Sequence, residues 1–372
     1  MEIVGIKRLF KSIYFGKTVL LTGHTGFKGS WLAFWLTQLG AKVVGFSLDV
    51  PTEPNHFKLL KLEDKITHIL GDVRDIDNLR QVFNSHKPDI VFHLAAQSLV
   101  RPSYEFPLDT FSTNVMGTAN VFEASRLSDS VVGIVNVTSD KCYENFEDDR
   151  PYKEEDRMGG YDPYSASKGA AELVANSYRS SFFNLDEYGK THKILLASVR
   201  AGNVIGGGDW SKNRLIPDII KAASQNETTS IRSPFATRPW QHVLEPLSGY
   251  LLIGQHLLEG NKEVSDGWNF GPANNETKTV EEVITLSSQK WDKVKFQIDV
   301  PKNAPHEANL LRLDCTKVFN KLNWLPVWDA EESISKTIQW YKAFYESDRI
   351  DTLSQFQEYI NIAIAKQYSW TK

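Results

Sequence analysis

Apolar residues fall in short, nearly unbroken runs over the first 200 positions, separated by longer stretches in which they recur at helical spacing. The runs KTVLLT (17–22), KVVGFSL (42–48), ITHIL (66–70), DIVFHLA (89–95), VVGIVNVTS (131–139) and KILLASVRA (193–201) predict six strands. Strands that are apolar nearly throughout are buried on both faces. The intervening segments SWLAFWLTQLG, IDNLRQVFNSH, NVMGTANVFEASRL and YSASKGAAELVANSYRSSF supply the crossover helices a parallel sheet needs. Residues 1–201 therefore read as an α/β domain built on a doubly wound parallel sheet.

Beyond Gly202 the rhythm breaks. Loops rich in Gly, Asn and Pro (NVIGGGDW, RSPFATRPW, NFGPANNETK) alternate with helices such as PLSGYLLIGQHLLEG, and residues 202–372 read mainly as a smaller substrate-binding lobe. No linker marks the boundary, so segments at about 240–270 are expected to return to the first domain.

Composition narrows the function classes. With 42 basic against 46 acidic residues and no dense Lys/Arg block, no nucleic-acid footprint is expected. Cys142 and Cys315 lie far apart, which speaks against a disulfide framework and a metal site and fits a reducing cytoplasm. Lys7, Arg8 and Lys11 interrupt any signal-peptide core, and no apolar stretch approaches the roughly 20 residues that span a bilayer, so no membrane partner is expected.

Candidate chemistry begins after the first strand. Gly23-His24-Thr25-Gly26-Phe27-Lys28-Gly29 is a glycine loop between strand and helix, where backbone amides meet a pyrophosphate at the helix N-terminus. That context makes the sheet Rossmann-type and assigns Gly23, Thr25, Gly26, Phe27, Lys28 and Gly29 to a dinucleotide. Asp49 closes the second strand 20 residues after Gly29, where a carboxylate accepts from an adenosine ribose and repels a 2′-phosphate, favouring NAD. Asp72 and Val73 follow the third strand and are placed to flank the adenine. Leu94, Ala95 and Ala96 follow the fourth and are small enough to let a dinucleotide lie close.

Tyr164 and Lys168 stand at i and i+4 on one helix, hence on one face. A neighbouring ammonium favours the phenolate, so the phenol can take a hydroxyl proton nearer neutral pH than its ordinary value of about 10. Thr138-Ser139-Asp140-Lys141 ends the fifth strand, at the sheet edge where such folds keep their ligands. Read alone, the Tyr/Lys pair is also compatible with an ordinary amphipathic helix, and Asp49 with a solvated strand end.

Taken together, the glycine loop, Tyr164-x-x-x-Lys168 and the strand-five hydroxyl resemble the extended short-chain dehydrogenase/reductase superfamily over nearly the whole chain. Asp140-Lys141 resembles the acid and base pair of nucleotide-sugar 4,6-dehydratases. Thr-Gly-His-Thr-Gly-Phe-Lys-Gly-Ser-Trp-Leu, Thr-Ser-Asp-Lys-Cys-Tyr, Ser-Leu-Asp-x-Pro-Thr, Arg238-Pro239-Trp240-Gln241-His242-Val243 and His306-Glu307-Ala308 look like the members acting on CDP-glucose.

The resemblance implies a redox-neutral cycle. Tyr164 takes the 4-hydroxyl proton as hydride passes from C4 to NAD, and Ser139 hydrogen-bonds the reacting oxygen. A base removes the C5 proton, Asp140 protonates the leaving 6-hydroxyl, and the hydride returns to C6, giving a 4-keto-6-deoxy sugar. Lys168 holds the ribose and tunes Tyr164. Lys141 replaces the usual Glu base, which requires desolvation or Lys168 to lower its pKa; if it stays protonated it stabilises the enolate instead. Because the cofactor is regenerated within each turnover, NAD is expected to remain bound.

Asn203 and Arg238 match positions that contact the sugar diphosphate, His306 lies in a matching motif, and Gln97, Ser98 and Arg101 are further pocket candidates. Asn114 fits packing as well as ligand contact. Trp240, Trp268, Trp324 and Trp328 are expected as filling rather than base platforms. The helix starting near Tyr161 and the one at about 107–127 are expected to pair as a four-helix bundle in a homodimer. Rival readings are a UDP-N-acetylglucosamine 4,6-dehydratase, a C4 epimerase, and a nonenzymatic nucleotide-sensing regulator. An intact Ser139, Tyr164 and Lys168 speak against the regulator, and deuterium uptake at C5 separates dehydratase from epimerase.

Overall fold

A computed structural model describes residues 5–146, 150–231, 233–273, 276–299 and 311–372. Six strands form where apolar runs predict them: β1 (Thr18–Thr22), β2 (Lys42–Ser47), β3 (Thr67–Leu70), β4 (Ile90–His93), β5 (Gly133–Val137) and β6 (Leu195–Ala201). A seventh, β7 (Gly267–Phe270), comes from the second half of the chain. The sheet order is β7-β6-β5-β4-β1-β2-β3, and every pairing is parallel. The order reverses between β4 and β1, and the crevice at that switch point is where open α/β sheets bind ligands.

Alternation along the strands divides the core. Val19 and Leu21 of β1 face one side and join α1 (Phe27–Gln38) and a helix from the second half, here α6 (Leu244–Leu258). Leu20 faces the other side, against α2 (Ile76–His86), α3 (Gly117–Arg126) and α4 (Pro163–Ser181). A separate cluster holds the second lobe together, with Ile216, Ile219 and Ile220 of α5 (Leu215–Ser224) packed with Trp340 and Tyr341 of α7 (Ala330–Ser347).

Beyond residue 202 the chain crosses back to the sheet repeatedly. Helix α6 and strand β7 cover and extend the sheet. Helix α8 (Thr352–Ala365) also returns, with Phe356 edge-on to Trp35 of α1 at 5.3 Å. This last return is absent from the sequence reading, because an apolar helix face does not say which lobe it covers. The first half ends in loops that carry the site, so these returns close its open side with residues from the second half.

Among the described residues no helix is long and apolar enough to cross a membrane, and no cluster of His, Cys, Asp and Glu could hold a metal ion. Cys142 and Cys315 are free and buried.

Candidate active site

The glycine loop is shaped by close packing. Gly23 has φ 74°, and a Cβ there would stand 2.7 Å from the Ala95 amide nitrogen. A Cβ on Gly29 would collide with the Gly23 carbonyl. No side chain caps α1 at Gly26, which leaves the first-turn amides of that helix for an anion. Thr22 Oγ1 meets His93 Nδ1 at 2.8 Å and accepts from the Leu94 and Ala95 amides at 3.1 and 3.2 Å, drawing the small residues after β4 onto Gly23. Thr25 Oγ1 contacts Ser47 Oγ at 2.9 Å and donates to the Leu48 carbonyl at 3.1 Å, which ties the loop to the end of β2. The cleft these groups form fits a dinucleotide: glycines where a Cβ would fill it, and open amides at a helix start.

Asp49 is exposed at that end, with Oδ1 accepting from the Val50 amide at 2.7 Å. Asp72 is held low by its hydrogen bond from Arg74, which also pairs with Asp109. The Val73 side chain is buried in the core against Gly117 of α3, so any contact with the adenine is left to its backbone.

The second group of residues converges across the switch point. Asp162 caps α4 by accepting from the Ser165 amide at 2.9 Å, and Pro163 occupies the first turn, so the helix begins just before Tyr164. Tyr164 and Lys168 are both buried, and the Tyr164 phenol stands near the Ser139 hydroxyl. Ser139 Oγ donates to Asp140 Oδ1 at 2.9 Å and accepts from the Lys141 amide at 3.3 Å. Ser139, Asp140, Lys141, Tyr164 and Lys168 are thus assembled in one corner.

The electrostatics depart from the expected tuning. Burial pushes the Tyr164 phenol up to about 12 against the opposing pull of the Ser139 hydroxyl. Burial also brings Lys168 down to about 8, and its Nζ reaches the Val137 carbonyl at 3.5 Å. Desolvation therefore dominates both groups in the ligand-free protein. Lys141 is only half-buried. The strongly depressed lysine is Lys28, taken to about 7 by burial and the Arg214 charge against the opposing pull of Asp140. Its Nζ stands 5.8 Å over the ring of Tyr250, so Lys28 belongs to the reacting corner as well as to the glycine loop.

A buried network braces this corner from behind. Arg200 Nε and Nη2 hold Glu172 at 2.8 and 3.0 Å, and Thr138 Oγ1 donates to Glu172 at 2.5 Å. Arg200 Nη1 also donates to Tyr143 Oη at 2.6 Å. Burial drives the Glu172 carboxyl upward, but the Arg200 charge and these hydrogen bonds together hold it at about 2. The network joins α4, β6 and the residue before Ser139, so the three elements carrying the chemistry are locked to one another. Glu172 lies four residues after Lys168, the one signal in sequence that could have revealed it.

On the substrate side, Asn203 adopts φ 50° and its buried Nδ2 has no partner, as expected of an amide awaiting a ligand. Arg238 is half-buried and donates to the Thr237 carbonyl at 2.7 Å. Arg101 reaches Asn213 at 3.4 Å, and Ser98 accepts from Arg214 at 3.5 Å. Gln97 turns its carboxamide onto Leu99 and Thr110, which makes it an organiser of its own loop. Asn114 does the same work: it sits in a π-turn (Ser112–Met116) and bonds the Gln97 carbonyl at 2.9 Å and Ser167 Oγ at 2.8 Å. His306 lies outside the described residues. Trp240, Trp268, Trp324 and Trp328 are buried, as expected of filling.

Two residues missed in sequence also face the corner. Arg214, held by Asp209 at 2.8 Å, lies close enough to Tyr164 for its charge to favour the phenolate. Tyr250 is fully buried with an unpartnered hydroxyl near Asp140 and Tyr164. Both come from beyond residue 202, where no spacing links them to the Tyr/Lys motif.

Residues 20–337 match the family described as GDP-mannose 4,6 dehydratase. The chain belongs to that family. It is 50% identical over 339 residues to a CDP-glucose 4,6-dehydratase of Salmonella typhimurium, covering 91% of this chain and 94% of the relative. Two solved structures share the fold. A UDP-glucose 4-epimerase of Thermotoga maritima with UDP-glucose has a TM-score of 0.75 at 20% identity, covering 88% of this chain and 100% of the other. A dTDP-glucose 4,6-dehydratase of Bacillus anthracis in complex with NAD has a TM-score of 0.73 at 22% identity, covering 91% of this chain and 100% of the other. The α/β, Rossmann-type class expected from the apolar pattern is the one found.

Proposed function

We propose that this protein is a nucleotide-sugar 4,6-dehydratase that converts CDP-glucose to CDP-4-keto-6-deoxyglucose with NAD. The observation that carries the reading is the assembly of Ser139, Asp140, Lys141, Tyr164 and Lys168 at the switch point, in a chain half identical to a CDP-glucose 4,6-dehydratase. An epimerase has no use for an acid at Asp140 and a second amine beside it.

Gly23, Thr25, Gly26 and Gly29 would hold the phosphates of NAD, Asp49 and Lys168 its riboses, and Leu94, Ala95 and Ala96 would leave room for it beside the sheet. The cofactor would supply the hydride acceptor and donor of the cycle. Tyr164 removes the 4-hydroxyl proton, with Ser139 near the phenol and donating to the Asp140 carboxyl. Asp140 protonates the leaving 6-hydroxyl, and Lys141 beside it serves the C5 step, as the base or as the charge that steadies the enolate. Arg214 and Lys28 bring basic groups to the reacting corner, and with Asn203 and Arg238 they are the groups suited to a sugar diphosphate.

The apolar face left open by two helical segments supports a homodimer. Leu108, Met116, Tyr161 and Leu173 are 83%, 56%, 96% and 60% exposed on the segments expected to form a four-helix bundle. Residues 1–201 form the NAD-binding domain in this reading, with the later returns completing it, and residues 202–372 mainly bind the nucleotide sugar. Two buried, unpaired thiols fit a cytoplasmic enzyme.

The test is incubation with NAD and, separately, CDP-glucose, dTDP-glucose, UDP-glucose and UDP-N-acetylglucosamine. Loss of one water from CDP-glucose without net NADH is expected. No loss from any of the four would remove the dehydratase reading, and loss from another sugar alone would move the substrate.

A further inference from the structure

The motif Arg238-Pro239-Trp240-Gln241-His242-Val243 contributes one side chain with no task in the cycle above. Gln241 is 3% exposed, and its Nε2 donates to the carbonyls of Gly202 and Phe270, both at 3.1 Å. Two carbonyl acceptors admit only the NH₂ end of the amide, which turns Oε1 away from them. Oε1 has no hydrogen-bond partner, and neither has Asp140 Oδ2. Both residues line one small cavity, walled by Gly202, Phe270, Pro239 and Leu313, with about 10 Å³ available to the centre of a water molecule. That is room for about one water. Buried polar atoms without partners are rare in folded proteins, and two on one water-sized space point to an oxygen ligand there.

We infer that this cavity seats the departing C6 oxygen and that Gln241 is a catalytic residue for water loss. This assignment rests on the dehydratase reading. The 6-hydroxyl donates to Gln241 Oε1 while Asp140 Oδ2 supplies the proton. The C6–O electron pair leaves with oxygen, and the pair from the broken C5–H bond forms the C5–C6 double bond as its proton passes to the base. The proton lost by Asp140 is made good by the one Tyr164 removed from the 4-hydroxyl, so the cycle needs none from outside. The water formed carries two hydrogens, one for Asp140 Oδ2 and one for Gln241 Oε1. Gln241 Oε1 holds the oxygen throughout and Asp140 Oδ2 turns from donor to acceptor as the bond breaks, so the departing water is held by both, which stabilises the transition state more than the bound substrate.

Single-turnover kinetics of the NAD-loaded protein with CDP-glucose test this, following C4 oxidation by reduced-nicotinamide absorbance and water loss by mass spectrometry. Gln241→Met is expected to oxidise C4 near the wild-type rate and to lose water about 100-fold more slowly, so the 4-keto hexose accumulates. Equal loss of both steps, or of neither, overturns the assignment. Should Gln241→Met fail to fold, Gly271→Ala carries the same test with the same outcomes. It lines the same cavity, and its added Cβ would have Cys315 Sγ as nearest neighbour at 3.2 Å. Absence of water loss in the wild type removes the dehydratase reading itself; normal loss in both variants removes only Gln241.

Discussion

The two ends of the cofactor cleft are finished differently. At the β1–β2 end, Thr22, Thr25, Ser47 and His93 find partners in one another and in nearby carbonyls and amides, and glycines let backbone pack on backbone. At the reacting corner, Asp140 Oδ2, Gln241 Oε1, Asn203 Nδ2 and Tyr250 Oη are buried without partners. A buried polar atom left unsatisfied costs about 1–3 kcal/mol, so each of these favours a polar ligand beside it. His24 Nδ1 apart, the cradle satisfies its own polar groups, whereas the corner is completed by what it binds. The rigid network of Glu172, Arg200 and Thr138 behind it is what lets the corner stay open.

The sharpest break between the two ends comes from Tyr164→Phe. Removing the phenol is expected to slow C4 oxidation by about 1000-fold with little change in melting temperature; a large fall in melting temperature would show that the corner is structural after all. Glu172→Gln inverts that pattern. Arg200 is left buried without its counter-charge, and a loss of about 3–5 kcal/mol is expected in denaturant unfolding, far more than any change in activity per folded molecule. Unchanged unfolding would remove the bracing role.

A smaller effect separates Lys28 from an ordinary loop lysine. Burial holds it at about 7 in the fold, against about 10.4 when unfolded. Between those values the unfolded chain binds more protons, so stability rises with pH from about 7 toward 10. Lys168, at about 8 in the fold, adds a slope of the same sign. Lys28→Met is expected to flatten the melting-temperature profile of ligand-free protein in that window, and parallel profiles would contradict the assignment of Lys28 to the buried corner.

Much of the sheet was legible because β1, β2, β4, β5 and β6 are apolar on both faces and bounded by turn residues, whereas the edge strand β3 is partly exposed along its length. Strand β7 was not: Gly-Trp-Asn-Phe is only four residues long and runs into Gly-Pro-Ala-Asn, which reads as a loop. Tyr164 and Lys168 were legible through helical spacing, and Asp140 through its place at a strand end. Arg214, Tyr250 and the cavity role of Gln241 were not, because they reach the corner only when α5, α6 and the loop after Arg238 fold back over the sheet. The upward push on Tyr164 was not legible for a related reason: sequence shows the neighbouring lysine but not the burial that raises the phenol.

The most direct test is turnover of CDP-glucose with NAD in D₂O, read by mass spectrometry and by the resonance of the C5 position. A corner built to remove the C5 proton and seat a departing oxygen gives a product lighter by one water and carrying one deuterium at C5. A product of unchanged formula, inverted at C4 and free of deuterium, would contradict it.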